Sequence, residues 1–194
     1  MSDTSTQDKW NRIYSETREQ QVPPMRVVAE NLHLLPPSGK GLELACGLAA
    51  NSFALAEKGI EMDAWDISNV AADSVNRRAV QERASVTGEA RDVVACPPDE
   101  ESYDVIVVTH FLDRSIAQTI LDSLKPGGLL FYQTYTQTYV TLSGPKKAEW
   151  RLADGELLSM FSPLRPLVYR EEGVTGDTSC GFRNQALLVA QKPK

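Results

Sequence analysis

The run Tyr103-Asp104-Val105-Ile106-Val107-Val108-Thr109 is apolar at consecutive positions, not at alternate ones. A strand with one wet face alternates polar and apolar side chains. One that is apolar on both faces lies between two covering layers, which is the habit of parallel sheets flanked by helices. Whatever this chain folds into must therefore cover both sides of residues 103–109. The neighbouring sequence supplies the parts. Short apolar runs at 41–46, 61–66 and, more weakly, 86–90 precede it, and one at 129–135 follows. Helical stretches separate them. Residues 51–58 are closed by Gly59 in the place of a helix-ending glycine. Residues 69–83 have Ser68 or Asn69 as N-cap. The stripe Leu112, Ile116, Ile120, Leu124 is stopped by Pro126-Gly127-Gly128, which reads as a turn.

Residues 5–33 read as helical, broken at Pro23-Pro24, and 154–161 as a short helix. The last strands, 167–171 and 185–191, are expected as antiparallel neighbours at the sheet edge. Strand–helix alternation of this kind predicts a single α/β domain: a Rossmann-like, doubly wound, mostly parallel seven-stranded sheet with an antiparallel edge strand. Its 194 residues suit one domain. Within it, 1–37 reads as an N-terminal helical lid, 41–135 as a cofactor-binding half and 136–194 as an acceptor-side half. Ligands of such sheets sit beyond the carboxyl ends of the strands, at the switch point. That places 46–51, 66–69 and 109–114 around one cleft.

Composition removes several alternatives. With 20 Lys+Arg against 26 Asp+Glu the net charge is −6, and no basic cluster offers a footprint for nucleic acid. Cys46, Cys96 and Cys180 are far apart without CxxC spacing, so no metal site is expected, and a sparse, odd count suits a reducing compartment. The start Met1-Ser2-Asp3-Thr4 lacks the basic and apolar regions of a signal peptide, and no apolar stretch approaches the ~18 residues of a membrane span. Cytoplasm is the expected location, without a membrane partner, as a monomer or homodimer.

The segment Leu42-Glu43-Leu44-Ala45-Cys46-Gly47-Leu48-Ala49-Ala50-Asn51-Ser52 reads as strand, tight turn and helix start, with small residues where a ligand must approach the backbone. Asp66 ends the second strand nineteen residues after Gly47, the distance at which a carboxylate reaches both ribose hydroxyls of a nucleoside. In this order and spacing the chain resembles class I S-adenosylmethionine-dependent methyltransferases. Their first loop reads acidic-x-Gly-x-Gly-x-Gly; here it is Glu43-x-Ala45-x-Gly47-x-Ala49, with alanines acceptable where φ is negative. Leu124-Lys125-Pro126-Gly127-Gly128-Leu129-Leu130 resembles the family's turn into its fifth strand, and Trp10-Asn11-Arg12-Ile13-Tyr14 its Trp-Asp-x-x-Tyr opening. Phe111-Leu112-Asp113-Arg114 is similar to the small tellurite-resistance-like branch.

The resemblance implies S-adenosyl-L-methionine as cofactor. It assigns Asp66 to the ribose, Ile67 to packing on the adenine, and Asp92 with Val93 to the adenine edge. Glu43, Ala45, Cys46, Gly47, Asn51, Ser68, Thr109, His110 and Phe111 complete the expected cofactor site, with Trp10 and Tyr14 either a lid over it or a plain helix-docking pair. Methyl transfer from a sulfonium asks mainly for alignment and exclusion of water. His110 is then either a general base or a pocket-lining residue. Arg114 is either an anchor for an anionic acceptor or a surface ion pair. Tyr135 is either an acceptor contact or part of the sheet's rim. Thr109-His110-Phe111-Leu112 lacks the Asn/Asp-Pro-Pro-aromatic motif of many base- and amide-nitrogen methyltransferases, which favours a small-molecule acceptor. The competing functions are a nicotinamide-dependent oxidoreductase and a non-catalytic S-adenosylmethionine-binding module.

Overall fold

A computed structural model describes residues 4–17 and 22–194. Seven strands form one sheet: β1 (Gly39–Leu44), β2 (Ile60–Asp66), β3 (Val86–Ala90), β4 (Tyr103–Thr109), β5 (Leu124–Tyr135), β6 (Arg165–Glu171) and β7 (Gln185–Gln191). Their order is β3-β2-β1-β4-β5-β7-β6. Strands β1 to β5 pair in parallel, and β7 runs antiparallel to β5 and to β6. This is the mostly parallel seven-stranded α/β sheet that the alternation implies. The antiparallel β7 lies one place in from the border, where the buried run Leu187 to Ala190 is covered on both sides. β6 takes the edge and carries Pro166, a residue that cannot donate to a ladder.

The α-helices are α1 (Thr4–Glu16), α2 (Arg26–Ala29), α3 (Ala50–Ala56), α4 (Asn69–Glu82), α5 (Ala117–Ser123) and α6 (Glu156–Met160). β4 shows why both layers are needed. Val105 and Val107 enter one core cluster with Phe53, Leu55 and Val75, while Ile106 and Val108 enter the other with Ile116, Ile120 and Leu130. All four β4 side chains are completely buried, each worth roughly 1.5–3 kcal/mol relative to exposure.

Two boundaries differ from expectation. Leu124 already pairs with Tyr103, and pairing resumes with Leu129 opposite Val105, so Pro126-Gly127-Gly128 is a bulge inside β5 and not a turn before it. A Cβ on Gly128 would meet the carbonyl oxygens of Lys125 at 2.9 Å and Tyr103 at 3.2 Å, which explains the glycine. Because Leu124 is drawn into the sheet, the helix expected over 112–124 shortens to a 3₁₀ turn, Arg114–Ile116, and α5. Asp113 caps the turn by accepting from the Ser115 N–H at 2.9 Å. The expected 5–33 helix resolves into α1, α2 and a 3₁₀ turn at Leu32–Leu34; its residues 18–21 lie outside the described set. Among the described residues no helix is long and apolar enough to cross a membrane.

Candidate functional site

The sheet order reverses between β1 and β4, and the loops leaving those strands part to form a crevice. After β1 the chain turns through Ala45, Gly47 and Ala49, all left-handed, with φ of 51°, 54° and 55°. The condition under which alanine is accepted without strain, a negative φ, is therefore not met at either position. Both alanines thus hold the left-handed conformation that glycine favours, at about 1–2 kcal/mol of Cβ–backbone strain each. Hydrogen bonds over-determine the bend: the Cys46 N–H donates to the Trp65 carbonyl at 2.9 Å, the Ala49 N–H to the Cys46 carbonyl at 2.8 Å, and the Gly47 N–H to Asp66 Oδ2 at 2.9 Å.

Two buried carboxylates brace this turn. Glu43 accepts from Asn51 Nδ2 at 2.7 Å, the Ser52 N–H at 2.9 Å and the Ser52 hydroxyl at 2.6 Å, tying the first turn of α3 to β1. Burial pushes its pKa up to about 7 against the pull of those donors. Asp66 ends β2 and accepts one backbone N–H on each oxygen, Gly47 on Oδ2 and Ser68 on Oδ1, both at 2.9 Å. Burial raises its pKa as well, and the N–H donors oppose the rise. Each Asp66 oxygen retains accepting capacity after these bonds. The Cys46 thiol is buried and held neutral, its pKa pushed up by burial and by both carboxylates.

A cleft of about 560 Å³ opens beside Asp66, within the usual range for small-molecule sites. It gathers Trp10, Tyr14, Ala45, Asp66, Ile67, Asp92, Val93, Thr109, His110 and Phe111 from the expected set. Thr6, Arg91, Val94 and Asp113 join them without having been foreseen. The remaining expected residues stand behind this first layer. Glu43 and Asn51 fix α3, and Ser68 caps α4 by accepting from the Ala71 N–H at 3.2 Å. Gly47 is covered by Tyr14, whose hydroxyl would be 2.8 Å from an added Cβ. Asp92 accepts from the Val94 and Ala95 N–H groups, which shapes the loop after β3.

Helix α1 crosses the cleft and is tied down along one face. Gln7 Nε2 donates to the Ile67 carbonyl at 2.9 Å, and the Ser68 hydroxyl donates to Asn11 Oδ1 at 2.7 Å. Trp10 and Tyr14 stack with centroids 5.8 Å apart. Burial, with the charge of Asp66 beside it, keeps the Tyr14 hydroxyl protonated. On the far wall Asn51 Nδ2 also donates to Thr109 Oγ1 at 3.1 Å, and Asn51 Oδ1 accepts the Met25 N–H at 2.8 Å.

His110, with φ of 55°, closes the β4 exit. Its backbone N–H donates to the Gln133 carbonyl at 2.9 Å and its ring stacks on Tyr135 at 4.7 Å. One side of the residue faces the cleft, and desolvation of the ring lowers its pKa. Tyr135 stands behind the imidazole, away from the cleft lining. Arg114 is engaged elsewhere: its guanidinium donates to both Glu156 oxygens, at 2.5 and 2.9 Å, and to the carbonyls of Glu149 and Arg151. It fastens the β5–α6 connection to the β4 exit. That connection has its own anchor in Arg151, a buried side chain that donates to the carbonyls of Thr136, Pro145 and Ser143.

Residues 42–128 match the family model described as a methyltransferase domain. A ubiquinone biosynthesis O-methyltransferase of Coxiella burnetii is 22% identical over 138 residues, 69% of this chain and 59% of that protein. The chain thus spans about three fifths of that curated relative's length. TehB from Haemophilus influenzae superposes with a TM-score of 0.70 at 22% identity, over 96% of this chain and 66% of the other. Geranyl diphosphate C-methyltransferase from Streptomyces coelicolor A3(2), solved with S-adenosyl-L-homocysteine, superposes with a TM-score of 0.71 at 14% identity, over 99% of both chains. The residues matched to the methyltransferase-domain model run from β1 to the β5 bulge, and the sheet as a whole has the fold of these solved methyltransferases.

Proposed function

We propose that this protein binds S-adenosyl-L-methionine in the cleft beside Asp66 and transfers its methyl group to a small-molecule acceptor. The observation that carries this reading is the Asp66 carboxylate, buried at the cleft wall with each oxygen fixed by one backbone N–H and still able to accept a hydroxyl. A sugar diol suits such a pair of acceptors. The other lining residues fit the same group: Ile67 and Val93 offer apolar faces to a base, Asp92 an acceptor at its edge, and Ala45 a small side chain beside an amino-acid tail. Trp10 and Tyr14 on α1 close the cleft from above and keep water out. The cofactor, once bound, supplies a methyl group on a positively charged sulfur that leaves as a neutral thioether. What remains for the protein is alignment, with His110 at the acceptor side as candidate base.

In this reading residues 1–37 act as the lid, 41–135 as the cofactor half and 136–194 as the acceptor half. Arg114 and Tyr135 contribute to the acceptor side by holding it in place. The acidic balance, 26 Asp+Glu against 20 Lys+Arg, favours a small acceptor over nucleic acid. The three free thiols suit the cytoplasm, and the chain works there as a monomer or homodimer. Calorimetry tests the proposal. S-adenosylhomocysteine is expected to bind one site per chain, Asp66→Ala to weaken it at least ~100-fold, about 3 kcal/mol, and NAD to give no heat. Binding of NAD without S-adenosylhomocysteine contradicts it. Binding without turnover of any acceptor over a broad panel favours the non-catalytic module.

A further inference from the structure

The amide of Asn51 is buried at the switch point with both of its polar atoms engaged. The Met25 N–H donates to Asn51 Oδ1 at 2.8 Å. A backbone N–H can only donate, so this bond fixes which end of the amide is oxygen. The NH₂ points the other way, and its two hydrogens go to Glu43 Oε1 at 2.7 Å and to Thr109 Oγ1 at 3.1 Å. Thr109 is therefore the acceptor in that last bond. Its own hydroxyl hydrogen has no taker among the described residues, and the residue lines the cleft. A half-buried O–H without an acceptor is unfavourable, so this hydrogen calls for one on a ligand. The strand register limits which part of a ligand it meets. Leu44 on β1 lies opposite Trp65 on β2 and Val108 on β4. The next positions, Asp66, Ala45 and Thr109, thus stand side by side across three strand exits, and all three line the cleft. Thr109 is two strand spacings from Asp66, ~10 Å, with the bend at Ala45 between them.

We infer that Asn51 is a positioning residue that turns the Thr109 hydroxyl into the cleft as a hydrogen-bond donor, and that this hydroxyl takes the carboxylate of the cofactor's amino-acid tail and not its ammonium. This rests on the methyltransferase reading above. The tail ends in two groups of opposite character: the carboxylate only accepts, and the ammonium only donates. An ammonium placed on Thr109 Oγ1 would leave the hydroxyl hydrogen still unpaired, whereas the carboxylate pairs it. The rest of the lining makes such a donor necessary. Its carboxylates, Asp66, Asp92 and Asp113, cannot serve an anion. Its guanidinium, Arg91, is spent on the carbonyls of Cys96 at 2.8 Å and Pro97 at 2.9 Å and lies over the Trp65 ring at 3.9 Å. A carboxylate entering this cleft is thus met by neutral donors, and Thr109 is one whose direction the protein fixes in advance.

Calorimetry with three ligands separates the two ends of the tail: S-adenosylhomocysteine, its decarboxylated analogue and its deaminated analogue. Thr109→Val keeps the side chain's shape and loses the hydroxyl. It is expected to weaken both carboxylate-bearing ligands at least ~10-fold and the decarboxylated one less than ~2-fold. Thr109→Ser, which returns a hydroxyl, should bring the carboxylate-bearing ligands back to within ~3-fold of wild type. Asn51→Ala should lower the preference for a carboxylate by ~3-fold or more, and should leave it unchanged when made on top of Thr109→Val, because its effect passes through that hydroxyl. A merely structural role for Asn51 would weaken all three ligands alike. Should Asn51→Ala not fold, the two Thr109 variants decide alone. An unchanged preference in Thr109→Val, or a loss that falls on the decarboxylated ligand, overturns the inference, while wild-type binding of S-adenosylhomocysteine keeps the methyltransferase reading. Absence of that wild-type binding sinks both.

Discussion

At the β1 and β2 exits, two buried carboxylates collect N–H and O–H donors from the turns that follow those strands: Glu43 from Asn51 and Ser52, Asp66 from Gly47 and Ser68. Beyond β5, the work is done by arginines that collect backbone carbonyls. Arg151 holds Thr136, Ser143 and Pro145; Arg183 holds the carbonyls of Glu172, Gly173, Thr175, Asp177 and Cys180; Arg114 reaches Glu149 and Glu156 across the cleft mouth. The first arrangement fixes a bend of five residues where a ligand is gripped. The second ties down long connections whose shape decides what is admitted. Acceptors on a sheet presenting N–H groups make a rigid cofactor wall, whereas donors reaching carbonyls make a wall that can be re-lined by changing loops alone.

The sharpest way to break this contrast is to remove an arginine anchor. Arg151→Met orphans three carbonyls, and urea unfolding is expected to show a loss of about 3–4 kcal/mol, with S-adenosylhomocysteine affinity changed less than ~3-fold. An equal loss of affinity would mean that the two regions are not separable. Next comes pH. Glu43 has a folded pKa of about 7 against 4.5 when unfolded. Its contribution is thus fully present below pH ~4.5 and lost as pH rises through ~7. The stability of the wild type relative to Glu43→Gln should fall by roughly 2–3 kcal/mol between pH 5 and pH 8; a flat difference would show that the three donors keep the carboxylate ionised throughout. Arg114→Lys loses the fork onto Glu156, partly exposed to solvent, and should cost about 1–2 kcal/mol in thermal or chemical unfolding. The smallest expected effect is a gain. Ala45→Gly relieves a left-handed alanine and should add about 0.5–1 kcal/mol in the same assay. A loss there would mean that the alanine methyl packs usefully enough to offset its strain.

The sequence made the cofactor wall readable because its logic is local. An apolar strand, small residues in a turn and a carboxylate nineteen positions on can be counted along the chain, and β4 announces its two covered faces by composition. The left-handed geometry of Ala45 and Ala49 could not be read, since alanine ordinarily argues against it; only the network around Asp66 and Trp65 forces it. Pro126-Gly127-Gly128 was misleading for a related reason: the same triplet serves a turn or a bulge, and the choice depends on Tyr103 pairing with Leu124. The anchors Arg114, Arg151 and Arg183 were opaque as anchors, because backbone carbonyls leave no mark in sequence. The hydrogen bond between Gln133 and Gln185 was hidden likewise, since it joins residues that sit diagonally, not opposite, on the neighbouring antiparallel strands β5 and β7.

The most direct measurement is a crystal structure of the protein with S-adenosylhomocysteine. Both ribose hydroxyls should lie within hydrogen-bond distance of Asp66, the adenine between Ile67 and Val93, and the amino-acid tail against the 45–49 bend, with the sulfur facing His110. A nucleoside bound elsewhere, or ribose hydroxyls in the cleft without contact to Asp66, would contradict the account at its root.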